Sequence, residues 1–220
     1  MDSSTELSDP YCLSPEQSDD LLRGRGWKRF VALGDSLTEG LMDELPGYQS
    51  ASWADRVSAA IGRNEPDLAY LNLGYRGLLA AQVHERQLAA ALEFKPDLAT
   101  VVCGGNDLLT PTYDRAAVEG HIDAMVSALT DAGATVFLFA LMNITAAVSE
   151  FDKLKPRLMG LNASYRKVAA RRGAILVDLW DHPVASDRNL YSADLLHMSA
   201  RGHAHIATTA IRALAASSTG

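Results

Sequence analysis

The chain has 220 residues, 48% of them apolar and 21% charged, which is ordinary globular composition with material for one large core and not comfortably for two. A formal charge of -7 argues against nucleic acid or an anionic membrane surface as the main partner, because either needs a concentrated basic patch. The nearest such patch, Arg23, Arg25, Lys28 and Arg29, reads as solvated charge ahead of the first strand. No apolar run reaches the roughly 18 residues of a membrane span. The N-terminus carries Asp2, Glu6 and Asp9 with no basic start and apolar stretch behind it, so it does not read as a signal peptide, and a cytoplasmic location is expected. Of the two cysteines, Cys12 lies in a polar segment and Cys103 in an apolar one; a disulfide is not expected, and Cys103 reads as core.

Residues 1–26 are rich in Ser, Asp and Pro and, apart from Leu21 and Leu22, offer little to bury. They read as a polar leader outside the core, with one domain over 27–220. A short run of strand formers over 30–34 then stops at a glycine, and an acid and a serine follow in Gly34-Asp35-Ser36-Leu37. At the carboxyl end of a strand in an open α/β sheet, Ser36 is placed like a nucleophile. Taken alone, the four letters fit equally well an Asp and a Ser capping the next helix.

A loop over 41–50 holds Pro46 and Gly47, and Ser52 caps an expected helix carrying Trp53, Val57, Ala60 and Ile61. A strand over 68–73 runs into a glycine-bearing turn with Gly74 and Gly77, followed by a helix over 78–94. The strand over 98–103 ends in Gly104-Gly105-Asn106-Asp107, and a helix over 114–132 and a strand over 134–141 come next. A long connection over 142–156, a helix to 172, a strand over 174–177, a loop over 181–196 and a last helix over 199–216 complete the chain. Strand and helix alternate five times, which predicts a parallel sheet with helices on both faces. The expected fold class is α/β, a three-layer α/β/α sandwich with five parallel strands in the order 2-1-3-4-5. The loops after the first three strands, holding Ser36, Gly77 and Asn106, then meet at one edge of the sheet.

Acyl transfer needs a nucleophile, a base, a group that orients the base, and donors for the oxyanion. Among six histidines, His197 stands in a segment suited to the base, Asp194-Leu195-Leu196-His197. A spacing of three on one helical turn would bring Asp194 to one ring nitrogen and leave the other for Ser36. The same pair also fits a surface carboxylate and histidine at a helix start. His203 and His205 are two apart on a helix and point in different directions, which disfavours a metal pair. His84 and His121 lie on helices away from strand ends, and His182 beside Asp181 is held in reserve. Gly77 offers an unobstructed backbone N–H and Asn106 a side-chain amide, the two kinds of donor an oxyanion requires, although Gly and Asn are ordinary turn residues as well.

Together the four segments resemble the GDSL, or SGNH, hydrolase family, whose motifs carry in turn a serine, an oxyanion glycine, an oxyanion asparagine and a D-x-x-H pair. Gly34-Asp35-Ser36-Leu37, Gly104-Gly105-Asn106-Asp107 and Asp194 to His197 match three of them, and the spacing of five from Asn72 to Gly77 matches the other. The likeness runs from Phe30 to the last helix. It implies a flavodoxin-like sandwich, nucleophile Ser36, base His197, orienting Asp194, and oxyanion donors in the Ser36 N–H, the Gly77 N–H and the Asn106 amide. The α/β-hydrolase elbow G-x-S-x-G fits less well, since the glycine after Ser36 arrives only at Gly40.

The expected activity is hydrolysis of a carboxylic ester with a small or medium acyl group through an acyl-serine, calling for no cofactor and no metal. The partner is a small-molecule ester. An acyltransferase using the same triad and a binding module without chemistry are the alternatives.

Overall fold

The computed structural model describes residues 4–217. Two short helices come first, α1 (Ser4–Ser8) and α2 (Pro15–Leu22), and the first strand is β1 (Arg29–Gly34). A single turn, α3 (Ser36–Glu39), precedes α4 (Trp53–Asn64) and β2 (Ala69–Asn72). The remainder alternates α5 (Ala80–Glu93), β3 (Leu98–Val102), α6 (Arg115–Asp131), β4 (Thr135–Ala140), α7 (Lys155–Arg172), β5 (Ile175–Asp178) and α8 (Ala200–Ala216). All strands run parallel in the order β2-β1-β3-β4-β5, as the alternation of elements predicts. Among the described residues no helix is long and apolar enough to cross a membrane.

The three central strands read as nearly continuous apolar runs, broken inside only by the buried Thr100, because they are buried on both faces. Side chains alternate across the sheet. Phe30, Ala32, Phe137 and Phe139 face one core with α4 and α8, while Val31, Leu33, Val101 and Leu138 face the other with α5, α6 and α7. Trp53, at the start of α4, packs edge-on to Phe139 with ring centroids 4.7 Å apart, and its indole N–H donates to the Leu37 carbonyl at 2.9 Å. One aromatic ring thus joins the core to the turn that follows β1.

The leader departs from expectation. Within residues 4–26, α2 packs on α4 and α8, and Leu22 lies in the core at 2% exposure. Ser14 closes a capping box with Gln17 at the start of α2. Ahead of it, Asp9 is buried and accepts from Tyr48 Oη at 2.7 Å, Arg201 Nε at 3.0 Å and the Tyr11 N–H at 2.9 Å, with His205 Nε2 2.9 Å from the same carboxylate. Glu6 meets Arg56 and the Gln49 N–H. Leu13, Leu21 and Leu22 supply the apolar contact and the buried charges are paired, so polar composition is a poor guide to burial here. Residues 1–3 of the expected leader lie outside the described residues.

Replacing Leu22 by Ala is expected to cost about 2–5 kcal/mol of unfolding free energy. The exposed Leu7→Ala should stay within about 0.5 kcal/mol of wild type. Urea unfolding of both variants checks this, and equal midpoints would place the leader outside the core.

Candidate active site

The chain has to turn away from the sheet immediately after β1, and Gly34 allows it. A Cβ there would lie 2.2 Å from Thr38 Oγ1 and 2.3 Å from the Val102 carbonyl, so no larger residue fits. Asp35 caps α3, its Oδ1 accepting from the Leu37 N–H at 3.1 Å. Ser36 then stands at the first position of that turn, 7% exposed, at the carboxyl edge of the sheet.

His197 Nε2 lies 3.0 Å from Ser36 Oγ, and His197 Nδ1 lies 2.6 Å from Asp194 Oδ2. The partners on either side select the tautomer. A proton on Nδ1 faces the carboxylate, and the bare Nε2 accepts from the serine hydroxyl. Asp194 does not sit on a helical turn with His197, as the spacing suggested. Leu195 adopts the left-handed conformation at φ 59°, and the segment is a tight turn whose flanks pair at the Tyr191–Met198 bridge. Asp194 closes this turn itself: Oδ1 accepts from the N–H groups of Leu196 and His197, both at 3.0 Å, leaving Oδ2 for the ring. Partial burial pushes the Asp194 carboxyl upward, but the hydrogen bonds from the His197 backbone and ring and from Leu196 outweigh it and hold the group below the usual carboxylate range.

Asn106 lines the same cavity as Ser36 and His197. Its Nδ2 donates to the Leu78 carbonyl at 3.0 Å, which fixes the amide plane and leaves the second amide hydrogen available. Asp107 accepts from the Ala80 N–H at 3.0 Å, so this loop grips the start of α5. Gly77 lies in the exposed turn just before that grip, at φ 77°, a conformation that favours glycine. It does not line the Ser36 cavity, whereas Ser36, Asn106 and His197 do.

That cavity has a volume of about 150 Å³ and is walled chiefly by Leu108, Leu141, Met142, Leu158, Leu179 and Ile206. Leu109 and Leu196, 47% and 43% exposed, are the apolar side chains of its lining most open to solvent. A larger cavity of about 1090 Å³ lies under the leader, but neither Ser36 nor His197 lines it, so chemistry rather than size selects the site.

The remaining histidines are occupied elsewhere. His203 is buried between the Trp53 N–H at 3.1 Å and the Leu41 carbonyl at 3.1 Å, His84 and His121 bring their Nδ1 atoms to 3.1 Å, and His182 packs against His205 and Tyr11. Asp9, Cys12 and His205 are the metal-capable side chains that come together among the described residues. They suit an ion poorly. The Arg201 guanidinium already occupies the Asp9 carboxylate, and burial pushes the Cys12 thiol up to about 12.

By residue type Asp43 reads only as a charge beside the cleft, and the structure gives it a bracing role instead. Its N–H donates to Ser192 Oγ at 2.9 Å, its Oδ2 accepts from the Ala193 N–H at 2.7 Å, and its carbonyl accepts from the Ala200 N–H at 3.0 Å. The loop behind Ser36 is thereby stitched to the segment holding Asp194 and His197. Only the three-dimensional approach of residues about 150 positions apart reveals it.

The chain matches the GDSL-like Lipase/Acylhydrolase family over residues 32–205. No curated protein matches it. Among solved structures it is similar to TesA, at 20% identity and TM-score 0.69, with 85% of this chain and 98% of that chain covered. The lipase/acylhydrolase from Enterococcus faecalis is 24% identical with TM-score 0.68, covering 84% of this chain and 94% of that one. A catalytic mutant of an acetylxylan esterase from Geobacillus stearothermophilus is 18% identical with TM-score 0.69, covering 87% and 94%. At these identities the likenesses establish the fold.

Asp35 supplies a test of the geometry behind Ser36. Burial pushes its carboxyl up to about 7, against the hydrogen bond from Leu37. The stabilisation given by the protonated form is complete below the ordinary value of 3.8 and is lost as pH rises through about 7. Asp35→Asn keeps an acceptor for the Leu37 N–H and carries no such loss. Its stability relative to wild type should therefore climb between pH 4 and 7.5, read by thermal unfolding, and a flat difference would contradict the burial.

Proposed function

The chain belongs to the GDSL-like lipase/acylhydrolase family, and we propose that it hydrolyses carboxylic esters of small or medium acyl groups through an acyl-Ser36 intermediate. The observation that carries this reading is the continuous chain of contacts Ser36 Oγ to His197 Nε2 at 3.0 Å and His197 Nδ1 to Asp194 Oδ2 at 2.6 Å. A serine hydroxyl is a weak nucleophile until a base takes its proton in the transition state. His197 Nε2 takes it as Oγ attacks the ester carbonyl, and Asp194 stabilises the imidazolium that results.

Negative charge then appears on the former carbonyl oxygen. The free amide hydrogen of Asn106 and the backbone N–H of Ser36 are the donors assigned to it from within the cavity, and the Gly77 N–H, implied by the family resemblance, would have to approach from the exposed turn outside it. As the tetrahedral intermediate collapses, His197 returns the proton to the leaving alcohol. Water enters, His197 removes its proton, and a second tetrahedral intermediate releases the carboxylic acid and restores the Ser36 hydroxyl. The apolar walls beside Ser36 suit the acyl portion of the ester, since Leu108, Leu141 and Leu158 offer it no polar partner.

Hydrolysis of aryl esters from acetyl to octanoyl tests the reading. Asn106→Ala should lower kcat about 10²–10³-fold with KM little changed, because its amide acts on charge that forms only in the transition state. Asp194→Asn should lower kcat by about 10⁴-fold by favouring the wrong tautomer. If both variants keep wild-type kcat, the triad and the oxyanion assignment are wrong.

A further inference from the structure

Beyond the paired part of a parallel sheet, peptide groups that would have met a neighbouring strand need other partners or water. β3 and β4 pair as far as Val101 and Leu138. The Val102 carbonyl accepts from Asp35 on the β1 side, so the next residue, Cys103, turns its N–H and C=O toward β4. The Ala140 carbonyl accepts from Leu179 on the β5 side, so Leu141 turns its own pair toward β3. These two peptide pairs face one another across a gap.

Helix α7 meets both pairs with two fully buried polar side chains one turn apart, neither of which lines the cavity beside Ser36. Tyr165 Oη accepts from the Cys103 N–H at 2.8 Å and donates to the Cys103 C=O at 2.7 Å. Asn162 Oδ1 accepts from the Leu141 N–H at 2.7 Å, and its Nδ2 donates to the Leu141 C=O at 2.8 Å. Had the strands continued to pair, they would lie about 4.8 Å apart there, with no space between them for a ligand. Instead Cys103 and Leu141 both line the cavity beside Ser36.

We propose that Asn162 and Tyr165 are positioning residues that set acyl-group specificity, by holding the carboxyl ends of β3 and β4 apart so that the cavity lined by Cys103 and Leu141 stays open to the acyl chain. The proposal rests on the esterase reading above. It adds residues that touch neither the serine nor the substrate and act through the Cys103 and Leu141 backbones. Gln87 of α5 makes the same pair of hydrogen bonds to Gly34, at 2.8 and 2.9 Å, and the Gly34 carbonyl also accepts from the Tyr75 N–H, so a helix side chain likewise braces the end of the strand that delivers Ser36.

Tyr165→Phe keeps the ring and removes both bonds to Cys103, and Asn162→Leu keeps the volume and removes both bonds to Leu141. The measurement is the ratio of kcat/KM for octanoyl to acetyl aryl esters, taken well below each variant's unfolding midpoint, with labelling of Ser36 by a serine-directed phosphonate as a second readout. Each variant should retain acetyl-ester hydrolysis while its ratio falls about 10-fold, the scale on which apolar pockets discriminate chain length. A merely structural role would lower the midpoint and leave the ratio unchanged, and that result overturns the proposal while leaving the esterase reading intact. If Asn162→Leu does not fold, Tyr165→Phe decides alone. Wild-type protein inert toward every ester and toward the phosphonate overturns both.

Discussion

The five parallel strands stop at different heights, and the carboxyl edge where they stop is the constraint on which the rest of the structure depends. There the pairing of β3 with β4 ends and leaves the Cys103 and Leu141 peptide groups without a neighbouring strand, and each strand end also releases a loop. The fold answers the first condition with side chains, Tyr165 on Cys103 and Asn162 on Leu141, and Gln87 likewise braces Gly34. It uses the second to deliver Ser36 and Asn106 from adjacent strands, β1 and β3, to one cavity. His197 arrives from a tight turn ahead of α8, 161 residues along the chain from Ser36, so the hydroxyl–imidazole contact exists only if the whole sheet closes correctly.

Three attachments hold that long-range contact in place. Trp53 ties the Leu37 carbonyl to the aromatic core, His203 ties the Leu41 carbonyl to α8, and Asp43 ties the next stretch to the segment carrying Asp194 and His197. Each anchors the loop behind Ser36, so serine and histidine ride on mutually fixed supports. This is the condition for a preorganised site, where a misplacement of about 1 Å costs rate steeply. The leader adds a further brace through Asp9, which binds Tyr48 in the same loop and Arg201 and His205 on α8.

Much of this was legible in the residues. Apolar runs ending in glycine marked the strands, alternation marked the parallel sheet, and the motif residues Ser36, Asn106 and His197 line one cavity with Asp194 on the His197 ring. Three features were not. The turn at Asp194 looks helical by spacing, but the left-handed Leu195 and the bridge from Tyr191 to Met198 make it a tight turn, a choice settled by the partners of the flanking backbone. The leader looked too polar to be buried because its few apolar residues, Leu13, Leu21 and Leu22, reach the core while Asp9 and Glu6 add polar ties. Gln87, Asn162 and Tyr165 sit on helices whose periodicity says nothing of partners 53, 21 and 62 residues away.

The central claim is that Ser36 becomes acylated, and intact-mass measurement on rapid mixing with an activated aryl ester reaches it directly. The account predicts one added acyl mass on the wild-type chain, mapped to Ser36, decaying at the rate of acid release and absent from Ser36→Ala. Turnover without any adduct on Ser36, or equal turnover by Ser36→Ala, would contradict it.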